Sequence, residues 1–400
     1  MNKMNVLIYF FLLLQFSSLS SFVSADGIID TCGGIYGDSL KLIKCLEELL
    51  KDVPNLGEIN CKELAENLKK LYNMGIKMSK EELLQKANET VIINKHANEY
   101  WKAELPFTCL LPDKFQRNLN GLLPEYQYVK KDEKDLVKRE TKVKIIKCTY
   151  KTEFDARDKW PKCKSIINNV VNQGQCGSCW AIAAVSAFTD CFCIERSKRG
   201  INTPNNEFYT RSAFDVLTCA MKNGCSGGRH DIAFNWMKTN GVCTGTDYSK
   251  NKGCKPYSLP PTGPEQTAPA CSSSCTNKRW GILYNDDKQK GVVKTGRLRR
   301  EQAIINQLKL GGPLVIGFMA FSDIMAYKTG VYFKTAGSKF LSGHVVVVVG
   351  YGTQTCGSVK TKYWIIRNSW GTGWGDKGFG KFIRGVNDCR IEDDAAYGTP

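Results

Sequence analysis

The stretch NQGQCGSCWAIAAV, Asn172 to Val185, decides how this chain is read. It sets Cys176 and Cys179 three positions apart at the head of an apolar run, with Trp180 directly behind the second cysteine. Four chemistries use such a pair: a structural disulfide, a redox couple, a metal clip, or a reactive thiol beside a disulfide. A redox couple belongs between a strand and a helix of a small βαβ unit, and the texture here is different. Zinc needs partners, and none of the chain's 3 histidines lies at finger or ribbon spacing from a cysteine pair. A staple with an adjacent nucleophile is what remains. The apolar residues of CWAIAAVSAFTDCFCIE, Cys179 to Glu195, cover most of a helical circumference, which predicts a long buried helix. Cys179 then stands in its first turn, where backbone N–H groups and the helix dipole favour thiolate.

A thiolate that attacks an acyl carbon needs a histidine to hold it as an ion pair and to protonate the leaving group, and a third group to orient the ring. His96 lies in a polar, helical N-terminal segment, and His230 follows CSGGR on a turn into a helix. His344 stands after Ser342 and Gly343 at the mouth of GHVVVVVGYG, Gly343 to Gly352, a β-branched run bounded by glycines that predicts a fully buried strand. Its backbone is thereby fixed while its ring can face a cleft. KYWIIRNSW, Lys362 to Trp370, predicts a second strand, near whose end Asn368 offers an amide oxygen to the imidazole and Trp370 can shield that bond from water.

The rest of the chain frames this constellation. The first residues carry a basic start (Asn2, Lys3), an apolar run from Val6 to Phe16 and a small-residue ending at Ala25, the pattern of a secretory signal occupying 1–25. That run falls short of the roughly 20 apolar residues a membrane helix needs, so no membrane association is expected. The 18 cysteines of an exported chain are therefore read mostly as disulfides. The net charge of +17 invites a polyanion-binding reading, but the basic residues are scattered and no arginine stripe or aromatic platform accompanies them, so no nucleic-acid partner is expected. Residues 27 to about 100 read as helical, with Leu64, Leu68 and Leu71 at helical spacing and a capping box from Ser79 to Glu82. YVKKDEKDLVKRETKVK, Tyr128 to Lys144, has the charge density of a linker and is the most cleavable stretch. From about Lys151 glycines, aromatics and cysteines multiply, and a buried helix beside antiparallel strands makes an α+β unit.

Cys176-Gly177-Ser178-Cys179-Trp180 is the local signature of papain-like and cathepsin cysteine proteases, and the chain resembles that family. CSGG (Cys225 to Gly228), GHVVVVVGYG and NSWGTGWGDKGFGKF (Asn368 to Phe382) match its other landmarks, and the likeness covers 150–400. The resemblance implies a two-domain fold, helical on the left and antiparallel β on the right, preceded by an inhibitory helical prosegment at 26–149. It implies Cys179 as nucleophile, His344 as acid and base, Asn368 as orienter, and Gln173 as a donor, with the Cys179 N–H, into an oxyanion hole. Gly227 and Gly228 would let a substrate backbone approach, with Trp370 nearby. It also implies the disulfides Cys163–Cys193, Cys176–Cys225, Cys219–Cys271 and Cys254–Cys275. No partner is assigned to Cys148, Cys191, Cys243, Cys356 or Cys389, while Cys32, Cys45, Cys61 and Cys109 belong to the prosegment.

His344 lies 165 residues after Cys179, beyond the roughly 130 to 150 of papain-like enzymes. The extra chain includes GCKPYSLPPTGPEQTAPACSSSC, Gly253 to Cys275, which resembles the cathepsin B insertion, as FDARDKWPKC (Phe154 to Cys163) and INKHANEYWKA (Ile93 to Ala103) resemble that subfamily's mature start and prosegment. In cathepsin B this insertion forms an occluding loop with paired histidines that bind a substrate's terminal carboxylate. Pro261 to Ala270 holds no histidine and no cysteine, which implies an open groove and internal cleavage. Asp394 falls where cathepsin B places an acid in the pocket for the second residue before the scissile bond (P2), which allows arginine there. Asn88-Glu89-Thr90 is the glycosylation acceptor expected, within the prosegment.

The expected partners are polypeptide substrates, the chain's own prosegment and cystatin-like inhibitors. No cofactor and no metal are expected. The expected location is the secretory pathway, ending in a lysosome or outside the cell, including a gut lumen. The competing function class is a catalytically silent secreted binding protein on the same fold. Silent relatives lose the cysteine, the histidine or the glutamine, all of which this chain retains.

Overall fold

The computed structural model describes residues 27–32, 39–53, 59–97, 100–122, 148–201, 210–290 and 294–400. The expected signal at 1–25 and the charge-dense stretch Tyr128 to Lys144 lie outside the described residues.

The N-terminal part is helical. Helices α1 (Ser39–Leu50) and α2 (Cys61–Asn73) bury Leu42, Leu46 and Leu50 of one and Leu64, Leu68 and Leu71 of the other, the faces their apolar spacing dictates. Asn60 caps α2 by accepting from the Glu63 amide at 3.1 Å. A reciprocal capping box opens α3 (Lys80–Ala97): the Ser79 amide donates to Glu82 at 2.8 Å and the Glu82 amide to Ser79 Oγ at 3.1 Å. A disulfide Cys32–Cys45 ties the short helical turn Ile28–Thr31 to α1. After α3 the chain forms strand β1 (Trp101–Ala103), which joins the edge of the main sheet. Two short helical turns, Phe107–Leu110 and Asp113–Asn118, then carry it across the molecule.

Strand β2 (Cys148–Asp155) begins the second unit. At its centre lies α4 (Cys179–Lys198), in which every residue from Cys179 to Ile194 except Ser186 is buried. Its buried carboxylate, Asp190, is matched by Arg367 at 2.7 Å. Helices α5 (Ala213–Cys219) and α6 (His230–Asn240) flank α4 and complete the helical half.

The other half is a sheet of β3 (Lys294–Leu298), β4 (Leu314–Phe321), β5 (Tyr327–Tyr332), β6 (Phe340–Cys356), β7 (Val359–Arg367), β8 (Phe379–Ile383) and β9 (Asp394–Thr399), with helix α7 (Glu301–Gly311) between β3 and β4. The order is β1-β5-β8-β7-β6-β4-β9-β3, antiparallel except for β5 and β8, with β2 on β6. β6 extends well past the expected ten residues: its first half pairs with β4 and its second with β2. Successive side chains of a strand face opposite sides, so Val345, Val347 and Val349 pack with α4 while Val346 and Val348 join the core behind the sheet.

The register of β2 against β6 sets Cys148 opposite Cys356, and the two form a disulfide. That corrects their reading as cysteines without partners; they lie 208 residues apart, and strand register alone brings them together. The structure also contains Cys163–Cys193, Cys176–Cys225, Cys219–Cys271 and Cys254–Cys275, and leaves Cys61, Cys109, Cys179, Cys191, Cys243 and Cys389 as thiols.

Candidate active site

Cys179 is the first residue of α4, behind Ser178 at the cap. Its sulfur faces the amides of Val345 and Trp180 and accepts from the Gly121 amide at 3.2 Å. These donors favour thiolate, yet the sulfur is fully buried, and burial prevails: the thiol is pushed up to about 11.

His344, at the start of the buried stretch of β6, is also fully buried. Its ring stacks on Trp370, centroids 4.5 Å apart, and meets the edge of Phe318 at 5.6 Å. Nε2 is 2.8 Å from Asn368 Oδ1, which also accepts from the Ser369 amide at 2.8 Å. An amide oxygen accepts only, so the proton sits on Nε2 and Nδ1 carries the lone pair. Nδ1 is buried with no hydrogen-bond partner, and the next residue's amide, that of Val345, faces the sulfur. Burial pushes the imidazole down to about 4 against the opposing pull of Asn368. Asn368 itself lies just beyond β7, anchored by its amide on Gly378 O at 2.9 Å.

Gln173 is fully buried in front of the α4 terminus. Ser369 Oγ donates to its Oε1 at 2.6 Å, which leaves the amide NH2 pointing the other way, to Cys176 O at 2.8 Å and Leu119 O at 2.9 Å. Trp370 Nε1 donates to the same Leu119 oxygen at 3.1 Å. Two N–H donors thus converge on one carbonyl oxygen in the pocket that also holds the sulfur, an arrangement that stabilises negative charge on oxygen. Tyr257 steadies this loop from beneath, its hydroxyl donating to Gln173 O at 2.8 Å and lying 2.7 Å from Ser178 Oγ. Sequence reasoning singles out neither Ser369 nor Tyr257; the first adjoins Asn368 in the quoted motif, while the second carries no local signal.

The chain that fills the groove comes from the N-terminal part. Gly228 N donates to Gly121 O at 2.7 Å and Leu122 N to Gly343 O at 3.0 Å, so residues 121–122 run between the helical and sheet halves. A Cβ on Gly121 would lie 1.8 Å from Gly177 O, and one on Gly228 would lie 2.5 Å from the Trp180 ring; neither position tolerates a side chain. Gly227 precedes Gly228 at φ 105, a conformation that favours glycine. Leu122 points toward Asp394, which stands 3.3 Å from His230 and 3.5 Å from Arg297.

The remaining candidates lie elsewhere. His96 is exposed at the end of α3. Asn88 is exposed midway along α3, while Thr90 is buried with its hydroxyl donated to Lys86 O at 2.9 Å. Cys243, Cys254 and Asp287 bring potential ligand atoms within 4.8 Å of one another. Cys254 is bonded to Cys275, so this trio lacks the thiolate pair a soft metal would need.

A model of the papain family cysteine proteases matches residues 150–399. The chain is 36% identical over 320 residues to cathepsin B-like cysteine proteinase 4 of Caenorhabditis elegans, covering 75% of this chain and 88% of that one. It is 37% identical over 267 residues to a gut-specific cysteine proteinase of the same organism, covering 65% and 77%. Among solved structures it resembles procathepsin B S9 from Trypanosoma congolense, with TM-score 0.59 and 27% identity over 78% of this chain and 97% of the other.

Proposed function

The chain belongs to the papain family of cysteine proteases, in its cathepsin B-like group, and from that premise we propose that it is an endopeptidase working through Cys179, His344, Asn368 and Gln173. It is a cysteine-type peptidase, made as a proform and acting on polypeptides. In the processed enzyme the Cys179 proton passes to His344 Nδ1, giving a thiolate and an imidazolium whose ring is held by Asn368. The thiolate attacks the scissile carbonyl, and the oxyanion is received by Gln173 Nε2 and the Cys179 N–H. His344 then gives its proton to the departing amine as the C–N bond breaks, leaving a thioester. Finally it deprotonates the water that hydrolyses that thioester.

The observation that carries this reading is the Leu119 carbonyl, gripped by Gln173 and Trp370 beside a sulfur that receives the Gly121 N–H. The prosegment thus occupies the Gln173 donor with a carbonyl while offering the nucleophile an amide hydrogen, which gives it nothing to attack. Gln173→Ala is expected to lower kcat by about 10²- to 10³-fold with little change in KM. Steady-state kinetics on the processed variant check this, and an unchanged kcat removes Gln173 from the hole.

Finer assignments accompany it. The division into a signal at 1–25, a prosegment at 26–149 and a peptidase unit at 150–400 is kept with one adjustment: processing falls N-terminal to Cys148, because β2 pairs with β6 from that residue and its disulfide holds it there. The groove beyond the scissile bond is open. The short Pro261 to Ala270 stretch is tied down, Gln266 N donating to Gln175 O at 3.0 Å, and its Glu265 is 3.0 Å from Lys114 of the prosegment. An end-blocked peptide digested by the processed enzyme is therefore expected to give internal fragments, sized by mass spectrometry; release only of C-terminal dipeptides refutes the open groove. Export to a lysosome, a gut lumen or the extracellular space fits the signal pattern and the gut-specific relative, and no helix of the described residues is long and apolar enough to cross a membrane. Cystatin-like inhibitors would occupy the same groove as the prosegment, and glycosylation at Asn88 would leave with it.

A further inference from the structure

Asp394 opens β9 directly opposite Gly317 of β4. A Cβ on Gly317 would lie 2.8 Å from Asp394 Oδ2 and 2.9 Å from Leu122 Cδ2, so the carboxylate and the prosegment leucine face the same small space. Leu122 is the neighbour of Gly121, whose amide touches the nucleophile, so this space is a side-chain pocket one residue from the reacting centre.

The carboxylate in its wall is already engaged. Oδ1 lies 3.3 Å from Nε2 of His230, the buried first residue of α6, close enough for an ion pair though without hydrogen-bond alignment. The same oxygen lies 3.5 Å from Nη2 of Arg297, which reaches over from edge strand β3. Both groups approach Oδ1, while Oδ2 is the oxygen turned to the pocket. Burial works to raise the proton affinity of Asp394, but the His230 contact and Arg297 outweigh it and hold the carboxyl below its usual range. The other charges nearby, Arg229 and Asp231, satisfy each other.

We propose that Arg297, with His230 behind it, masks Asp394, so that this pocket selects apolar P2 side chains and discriminates against arginine although an acid lies in its wall. This rests on reading the pocket as the P2 subsite. Arg297 is charged at every working pH. An incoming guanidinium must either displace it or crowd a second fixed cation onto one carboxylate, and like charges so placed are strongly penalised. Leucine meets no such cost, and the prosegment's own residue there is leucine.

The test is the ratio of kcat/KM for two peptides differing only in Arg or Leu at P2, measured on the processed enzyme. The wild type is expected to favour Leu by about tenfold or more, and Arg297→Ala to raise the Arg/Leu ratio by about tenfold. Arg297→Lys should restore the original preference, and Asp394→Ala added to Arg297→Ala should cancel the gain. If Asp394→Ala alone shifts P2 preference while Arg297→Ala does not, the masking is overturned and the pocket assignment stands. If neither substitution moves the ratio, the pocket assignment falls and the masking with it.

Discussion

The processed enzyme carrying His344→Ala is expected to lose about five orders of magnitude in kcat on a peptide substrate, with KM changed no more than a few-fold. The size follows from the two steps the proposed mechanism gives one ring: drawing the proton from Cys179 and later delivering one to the departing amine. Nε2 cannot share the work, since it is committed to Asn368 at 2.8 Å, and Nδ1 is the nitrogen left without a partner. The described chain offers no substitute, because His230 is buried against Asp394 and His96 lies exposed on α3. Fluorogenic peptide kinetics measure the loss, with circular dichroism to establish that the variant is folded. A variant retaining more than about one hundredth of wild-type kcat overturns the assignment, since general acid–base catalysis alone accounts for at least that much.

The second large effect concerns the reactivity of the thiol before and after processing. In the closed proform burial holds Cys179 up at about 11 and His344 down at about 4, so between those limits both are neutral. At pH 6 a thiol of that affinity is ionised to roughly one part in 10⁵. Removing residues 119–122 readmits water, relieves the burial cost and lets the proton move from sulfur to ring. Alkylation of Cys179 by iodoacetamide at pH 6 is therefore expected to accelerate by about 10³-fold or more on processing, and to become nearly flat with pH through the weakly acid range. Mass spectrometry of the modified peptide against time gives the rate, and equal rates in the two forms would sink the idea.

The sign of the linkage follows. The lowered imidazole alone would favour opening as pH falls below the ordinary histidine range, because the open form would bind a proton that the closed form does not. The raised thiol alone would favour opening as pH rises through the ordinary thiol range. Opening transfers one proton between the two groups without taking one from solvent, so the contributions cancel over the window between. The Cys179–His344 pair by itself gives prosegment release little pH dependence there.

Much of this was legible in the residues. A run apolar on nearly every side from Cys179 to Ile194 leaves a helix no exposed face, and five consecutive valines after His344 leave a strand none either. Those two elements carry the sulfur and the ring, and the seam between them is the groove. What could not be read depends on contacts across long separations. The Cys148–Cys356 bond follows from strand register, and the approach of Arg297 to Asp394 from the side-by-side placement of β3 and β9. The occupancy of the groove by Leu119 and Gly121 rests on backbone groups that every residue possesses, so no side-chain pattern announces it.

Gly121 packs its α-carbon against the Gly177 backbone at the bottom of the groove, where no larger residue fits. The precursor's restraint therefore hangs on the smallest group in the chain. A methyl at that spot would pry the latch from its seat without touching Cys179, His344 or Gln173, and would leave a precursor that needs no cut to be unlocked.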